Sequence, residues 1–148
     1  MAPSVRKITY GALRGVATQR FPHRQRRLVH LGINIRRDFG GLHTRLVPGF
    51  VRDTQLDGDT RSVSFANGTV ARELLVDCDE ARRRLAYAAI SDRVRQHNAS
   101  VQVIADGDAR SRLIWIVDVL PHEIAPYIDA QMDQAALAMQ QALGRTAA

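Results

Sequence analysis

Few side chains in this sequence stand in an arrangement that could do chemistry, and they narrow to one carboxylate. The single cysteine, Cys78, sits between Asp77 and Asp79, whose negative charges disfavour the thiolate that a nucleophile needs. No serine occupies a Gly-x-Ser-x-Gly elbow, the strained turn that exposes a catalytic hydroxyl. The pair Gly40-Gly41 lacks the strand, lysine and helix context of a phosphate cradle. His23, His30, His43, His97 and His122 show neither metal-ligand spacing nor cysteine partners, so no metal site and no cofactor is expected. Glu73 differs in kind. Enclosed among apolar side chains, a carboxylate can serve as general acid or base, or accept a hydrogen bond from a ligand hydroxyl. On an exposed sheet face it would do no more than pair with a cross-strand arginine.

Which of the two applies depends on the strands around it. Alternating or β-branched apolar runs predict strands over 50–56, 61–66, 69–77, 84–90, 98–105 and 111–118, with short Gly- and Asp-containing turns between several of them. Neighbours in sequence are therefore expected to be neighbours in one antiparallel sheet. Asn67-Gly68 is the strongest hairpin signal, since both residues tolerate the positive φ of a tight turn. With a strict two-residue loop, Phe65 would face Val70 and Val63 would face Arg72, leaving Glu73 on the opposite face from Phe65. A bulge at the turn would carry it inward.

Alternation also groups other side chains. Leu113, Trp115 and Val117 share one strand face, as do Leu85, Tyr87 and Ala89, while Asn98 and Ser100 share a face of theirs. After the strands comes a helical pattern over 126–143, in which Ile128, Met132, Ala135 and Met139 recur at three- and four-residue spacing, so one stripe must be buried. Strands in series followed by a lone helix predict a curved sheet folded around that helix, with room for an apolar molecule between them. The weakest signals are a strand over 15–21 and a helix over 24–37.

The formal charge of +6 is unevenly spread. Residues 1–37 hold nine of the 21 basic residues and no acidic one, leaving 12 basic against 15 acidic side chains in the other 111 residues. Basicity thus belongs to the N-terminal segment, without the aromatic interleaving or motif of a nucleic-acid binder. Residues 1–14 read as a basic arm and 15–148 as one domain. With 148 residues, no run of 18 apolar residues and one cysteine, the expectation is a cytoplasmic domain with a core that needs no disulfide and with no membrane span. Assembly as a homodimer stays open.

Several motifs, taken in order, resemble a known superfamily. They are Ile35-Arg36-Arg37-Asp38-Phe39-Gly40-Gly41-Leu42-His43, Val47-Pro48-Gly49-Phe50, Arg61-x-Val63-x-Phe65-x-Asn67-Gly68, Glu73-Leu74-Leu75 with Asp77, Leu85-x-Tyr87, and Trp115-x-x-Asp118-x-x-Pro121. Their order and spacing resemble the START-related SRPBCC superfamily, and within it the bacterial polyketide cyclase/dehydrase-like proteins. The resemblance implies an α+β helix-grip fold: a seven-stranded antiparallel sheet wrapped around a long C-terminal helix. It is least good at the N-terminus, where residues 16–21 are the place to look for the seventh strand.

Carried over position by position, the resemblance implies a cavity lined by Glu73, Tyr87, Asn98, Ser100, Leu113, Trp115, Val117, Ala135 and Met139. Its mouth would lie near His43, Arg45, Arg95 and His97, with Glu73 the one catalytic candidate. Three functions follow: binding of a hydrophobic or polycyclic small molecule, a cyclase or aromatase activity using Glu73 as acid or base, or an interaction module whose cavity is incidental.

Overall fold

The computed structural model describes residues 14–22, 39–41, 44, 46–105 and 110–146. The expected helix over 24–37, and His43 and Arg45 of the expected cavity mouth, lie outside the described residues. The strands are β1 (Arg14–Pro22), β2 (Val51–Asp57), β3 (Thr60–Phe65), β4 (Val70–Asp79), β5 (Arg84–Ile90), β6 (Gln96–Ala105) and β7 (Arg110–Leu120). A short 3-10 turn, His122–Ile124, leads into the helix α1 (Ala125–Thr146).

All seven strands form one antiparallel sheet in the order β1-β7-β6-β5-β4-β3-β2. From β2 to β7 the chain is a meander, as short connections require. The first strand closes the remaining edge by pairing along β7, from Arg14 opposite Asp118 to Pro22 opposite Arg110. Residues 16–21 fall inside it.

The β3–β4 hairpin decides the orientation of Glu73. The Phe65 N–H donates to the Thr69 carbonyl at 2.9 Å and the Gly68 N–H to the Phe65 carbonyl at 3.0 Å. Three residues, Ala66, Asn67 and Gly68, therefore lie in the loop: a tight turn followed by a glycine bulge rather than a two-residue turn. The Asn67 carboxamide oxygen accepts from the Thr69 N–H at 3.0 Å and from its hydroxyl at 2.7 Å, fixing the bend. The extra residue shifts the register by one, so Val63 pairs with Ala71 and Arg61 with Glu73. Glu73 consequently shares the inner face with Val63.

Gly68 holds φ at +87°, and a Cβ built there would meet nothing within 4 Å. The cost of Gly68→Ala is thus backbone strain alone, about 1–2 kcal/mol for an L-residue in the left-handed region. Urea unfolding should register a loss of that size. An unchanged midpoint would show that the turn does not depend on this conformation.

A second irregularity lies further along β4. Leu75 pairs with Tyr87 and Asp77 with Ala86, leaving Val76 as a bulge. The phase changes there, so that Cys78 packs on the same core cluster as Leu75.

Pro126 sits in the first turn of α1, where its missing N–H removes no helical bond. The helix has 22 residues, a length of about 33 Å. Its buried stripe includes Met132, Ala135 and Met139. Met132 packs with Leu85, Tyr87 and Val117, whereas Ala135 and Met139 pack with Val51, Val63, Val103 and Leu113. Residues from both halves of the sheet meet on one helix, which requires the sheet to curl around it. Among the described residues no helix is long and apolar enough to cross a membrane.

Candidate functional site

The inner faces of the strands and the stripe of α1 do not close on each other completely. Between them lies a cavity of about 530 Å³, within the range of small-molecule sites. Val63, Leu85, Val101, Val103 and Leu113 supply apolar wall from the sheet, and Ile128, Met132, Ala135 and Met139 from the helix. Phe50 and Phe65 also line it, meeting edge to face with ring centroids 5.5 Å apart.

Of the eight ligand-contact residues that the resemblance implied, Tyr87, Leu113, Trp115, Val117, Ala135 and Met139 line this cavity. Asn98 and Ser100 do not. They do share a face, but it is the outer one: Ala99, opposite both Tyr87 and Val117, is the inward residue and is buried, whereas Asn98 is exposed. The alternation is correct and its phase is reversed, because β6 starts at Gln96 and carries His97, Ala99, Val101 and Val103 inward. Of the expected mouth residues, His97 lines the cavity, while Arg95 is exposed and absent from its lining; Arg93, two residues earlier in the loop, is present instead.

Glu73 faces the cavity and is buried. It also has the cross-strand arginine of the alternative reading, and that arginine is buried with it. The Arg61 Nε donates to Glu73 Oε2 at 2.6 Å, and Nη2 pairs with the same oxygen. The third guanidinium contact runs from Nη1 to the Phe39 carbonyl at 2.8 Å. The guanidinium carbon lies 4.0 Å from the Phe39 ring centroid and 4.9 Å from that of Tyr87. Arg61 is thereby held by a carboxylate, a carbonyl and two aromatic faces, the combination that makes burial of a charge tolerable.

Sequence reasoning missed Arg61 and Phe39 as site residues. The signal for the first was available: Arg61-x-Val63-x-Phe65 puts the arginine in phase with two apolar residues. The second depends on a backbone carbonyl and a long-range approach that no local pattern encodes.

Three further polar groups lie near the Arg61–Glu73 ion pair. Burial is the main cause that pushes the Tyr87 phenol far above its usual range; the Glu73 charge adds to it, while the Arg61 charge and the Trp115 indole N–H oppose it. The indole N–H approaches the phenol oxygen without reaching full hydrogen-bond geometry, and Trp115 Nε1 is buried with no partner among the described residues that meets it. His97 Nδ1 is likewise buried and, among the described residues, without a hydrogen-bond partner. Among the described residues no cluster of three His, Cys, Asp or Glu side chains could hold a metal ion.

Burial is also the main cause that lowers the His97 pKa below its usual 6.5, with the Glu73 charge and a backbone hydrogen bond pulling the other way. The unfolded chain therefore takes up this proton at a higher pH than the folded one, so the contribution to stability is complete above about pH 6.5 and is lost as pH falls through the lowered value. Between about pH 7.5 and 5.5, His97→Gln should lose less stability than the native chain, as read from urea midpoints. Parallel curves for the two proteins would contradict the burial argument.

The sequence matches no family profile and no curated protein. Comparison with solved structures, in contrast, gives clear likenesses along most of the chain. The protein XoxI from Bacillus cereus superposes with a TM-score of 0.71 at 16% identity, covering 88% of this chain and 94% of that one. A truncated norcoclaurine synthase from Thalictrum flavum gives 0.68 at 12% identity, with 96% and 97% covered. A START superfamily protein from Mycobacterium smegmatis gives 0.65 at 10% identity, with 90% and 96% covered. At such identities the likeness concerns architecture alone. The chain has the START-like helix-grip fold, with an antiparallel sheet curled around its C-terminal helix.

Proposed function

We propose that this protein binds a hydrophobic small molecule, of polycyclic size, in the cavity between the sheet and α1. The observation that carries this reading is the cavity itself: about 530 Å³ of space walled mostly by Val, Leu, Ile, Met and aromatic side chains, with Arg61, Glu73, Tyr87 and His97 among the polar residues that line it. Burial of an apolar molecule there would remove water from both surfaces, at roughly 25 cal/mol per Å² of apolar area. The START-like architecture supports the same reading, since it places the helix where a ligand-holding fold needs a wall.

In this reading Glu73 is an anchoring group. The alternative, an acid–base role as in a cyclase or aromatase, would have to work through Oε1, since both Arg61 contacts fall on Oε2. Tyr87, the neighbouring hydroxyl, is kept a neutral phenol by its burial.

Titration with the apolar dye N-phenylnaphthylamine tests the proposal. Saturable binding of one dye per chain, reversed by an unlabelled polycyclic hydrocarbon, is the expected result. Weak emission that rises linearly with dye would mean that no site of this kind is available in solution.

A further inference from the structure

The cavity is more positive than the domain around it. Residues 38–148 hold 12 basic and 15 acidic side chains, yet among the described residues Arg61, Arg83 and Arg93 line the cavity against the single carboxylate of Glu73. Arg61 and Glu73 cancel within their ion pair. Two cations are left over, and neither the Arg83 nor the Arg93 side chain has a hydrogen-bond or ion-pair partner among the described residues.

Arg83 is the better placed of the two. It is the middle of three consecutive arginines where the chain turns from β4 into β5, and both neighbours are engaged: Arg82 Nε lies 3.5 Å from Asp79 Oδ2, and Arg84 Nη1 3.1 Å from Asp77 Oδ2. Of the three, Arg83 is the one that lines the cavity, two residues before Leu85 and four before Tyr87 on the inward phase of β5. Its φ of +51° is the one positive value outside glycine among the described residues, in a region that L-residues rarely visit. The Arg83 N–H donates to the Glu80 carbonyl at 3.2 Å, and its carbonyl accepts from the Val103 N–H at 3.1 Å, so this backbone is held against β6. Glycine would satisfy the same φ without strain. The turn itself therefore does not call for an arginine, and an unfavourable backbone kept at a half-buried cation points to work done by its side chain.

Position also separates Arg83 from the other charges. Glu73 pairs with Ala89, six residues along β5 from Arg83 and therefore about 20 Å away, so a negative group beside Arg83 stands clear of the Glu73 carboxylate. Arg93 is exposed in the loop at the far end of β5, where solvent and salt screen it. A guanidinium set in an apolar wall is incompletely solvated, and its planar fork fits the two oxygens of a carboxylate.

We propose that Arg83 is an anion subsite of the cavity, which selects mainly apolar molecules that carry a carboxylate, with the guanidinium pairing with that group at the β4–β5 turn. This rests on the cavity-binding reading above and assigns the chemistry of its ligand. Arg83 becomes a specificity-determining residue, and the turn that holds its φ positive becomes the device that presents it to the lumen.

The test is a displacement series on the full chain, with N-phenylnaphthylamine as the reporter and β-naphthoate and β-naphthamide as competitors of one shape that differ in charge. A charge-assisted hydrogen bond corresponds to about a tenfold preference or more, so β-naphthoate should displace the dye at roughly one tenth of the concentration that β-naphthamide requires. In Arg83→Gly, which suits the positive φ, the ratio should fall below about threefold while displacement by β-naphthamide stays as it was. Arg83→Asn, another residue type that tolerates this φ, should repeat the result. In Arg93→Gln the preference should remain above about fivefold, since a screened charge contributes little.

Equal displacement by the two competitors in the native chain, or stronger displacement by β-naphthamide, overturns the anion subsite and leaves the cavity reading standing. A preference that survives both Arg83 substitutions, or that Arg93→Gln abolishes, also overturns it. If the dye does not bind at all, the cavity reading itself falls and takes this inference with it.

Discussion

Arg61→Met is expected to lose about 3–5 kcal/mol of folding stability, the usual consequence of leaving one member of a buried ion pair without its partner. Arg61 is only 3% exposed and Glu73 7%, so water cannot replace the lost guanidinium contacts. The substitution also removes the donor to the Phe39 carbonyl and the planar cation packed on the Phe39 and Tyr87 rings. Methionine fills much of the same volume, which separates the electrostatic loss from the loss of packing.

The companion variant Arg61→Met/Glu73→Leu should recover most of the loss, because it withdraws the stranded charge along with its partner. Urea unfolding of the two variants and the native chain forms the measurement. A single variant within about 0.5 kcal/mol of the native value would mean that the pair is not buried in solution. A double variant no better than the single would shift the cost to the Phe39 and Tyr87 contacts.

Ala135→Phe should have the largest effect on binding. Ala135 is 2% exposed, lies on the buried stripe of α1 and lines the cavity opposite the Val63, Val103 and Leu113 wall. A phenyl ring there extends from the helix towards the space between helix and sheet, so dye affinity should fall at least about tenfold, which corresponds to 1.4 kcal/mol of binding energy, while the push on the packed neighbours should cost no more than about 1–3 kcal/mol of stability. The two readouts must move independently. If binding is unchanged, the dye sits elsewhere; if the protein unfolds, the space facing Ala135 is already filled.

Much of this was legible in the sequence, for physical reasons that differ by element. Strands β2 to β7 and the helix α1 could be read because their inward residues alternate or recur with the period of the structure they form. The face shared by Leu113, Trp115 and Val117 follows from alternation alone, and all three line the cavity. Asn98 and Ser100 show its limit: alternation says which residues share a face, whereas the choice between inside and outside belongs to pairing with Tyr87 and Val117 through Ala99.

Glu73 shows another. Its orientation turns on one residue in the Asn67-Gly68 hairpin, and a two-residue loop and a bulged three-residue loop draw on the same amino acids. Arg61 could have been found by its phase with Val63 but was hidden by the general rule that arginine faces solvent. His97 sits at the start of β6, where one residue of register separates a solvated imidazole from a cavity wall.

The account stands or falls on whether an apolar molecule enters the space beside Trp115. The chain has one tryptophan, and its side chain lines the cavity, so intrinsic emission reports on this site alone. Titration with N-phenylnaphthylamine, excited at the tryptophan band, is therefore the most direct measurement. Occupation of the cavity predicts saturable quenching of Trp115 with matching sensitised dye emission, complete at one dye per chain and abolished in Ala135→Phe. Dye that binds while Trp115 emission stays constant would place the molecule outside the cavity and contradict the account.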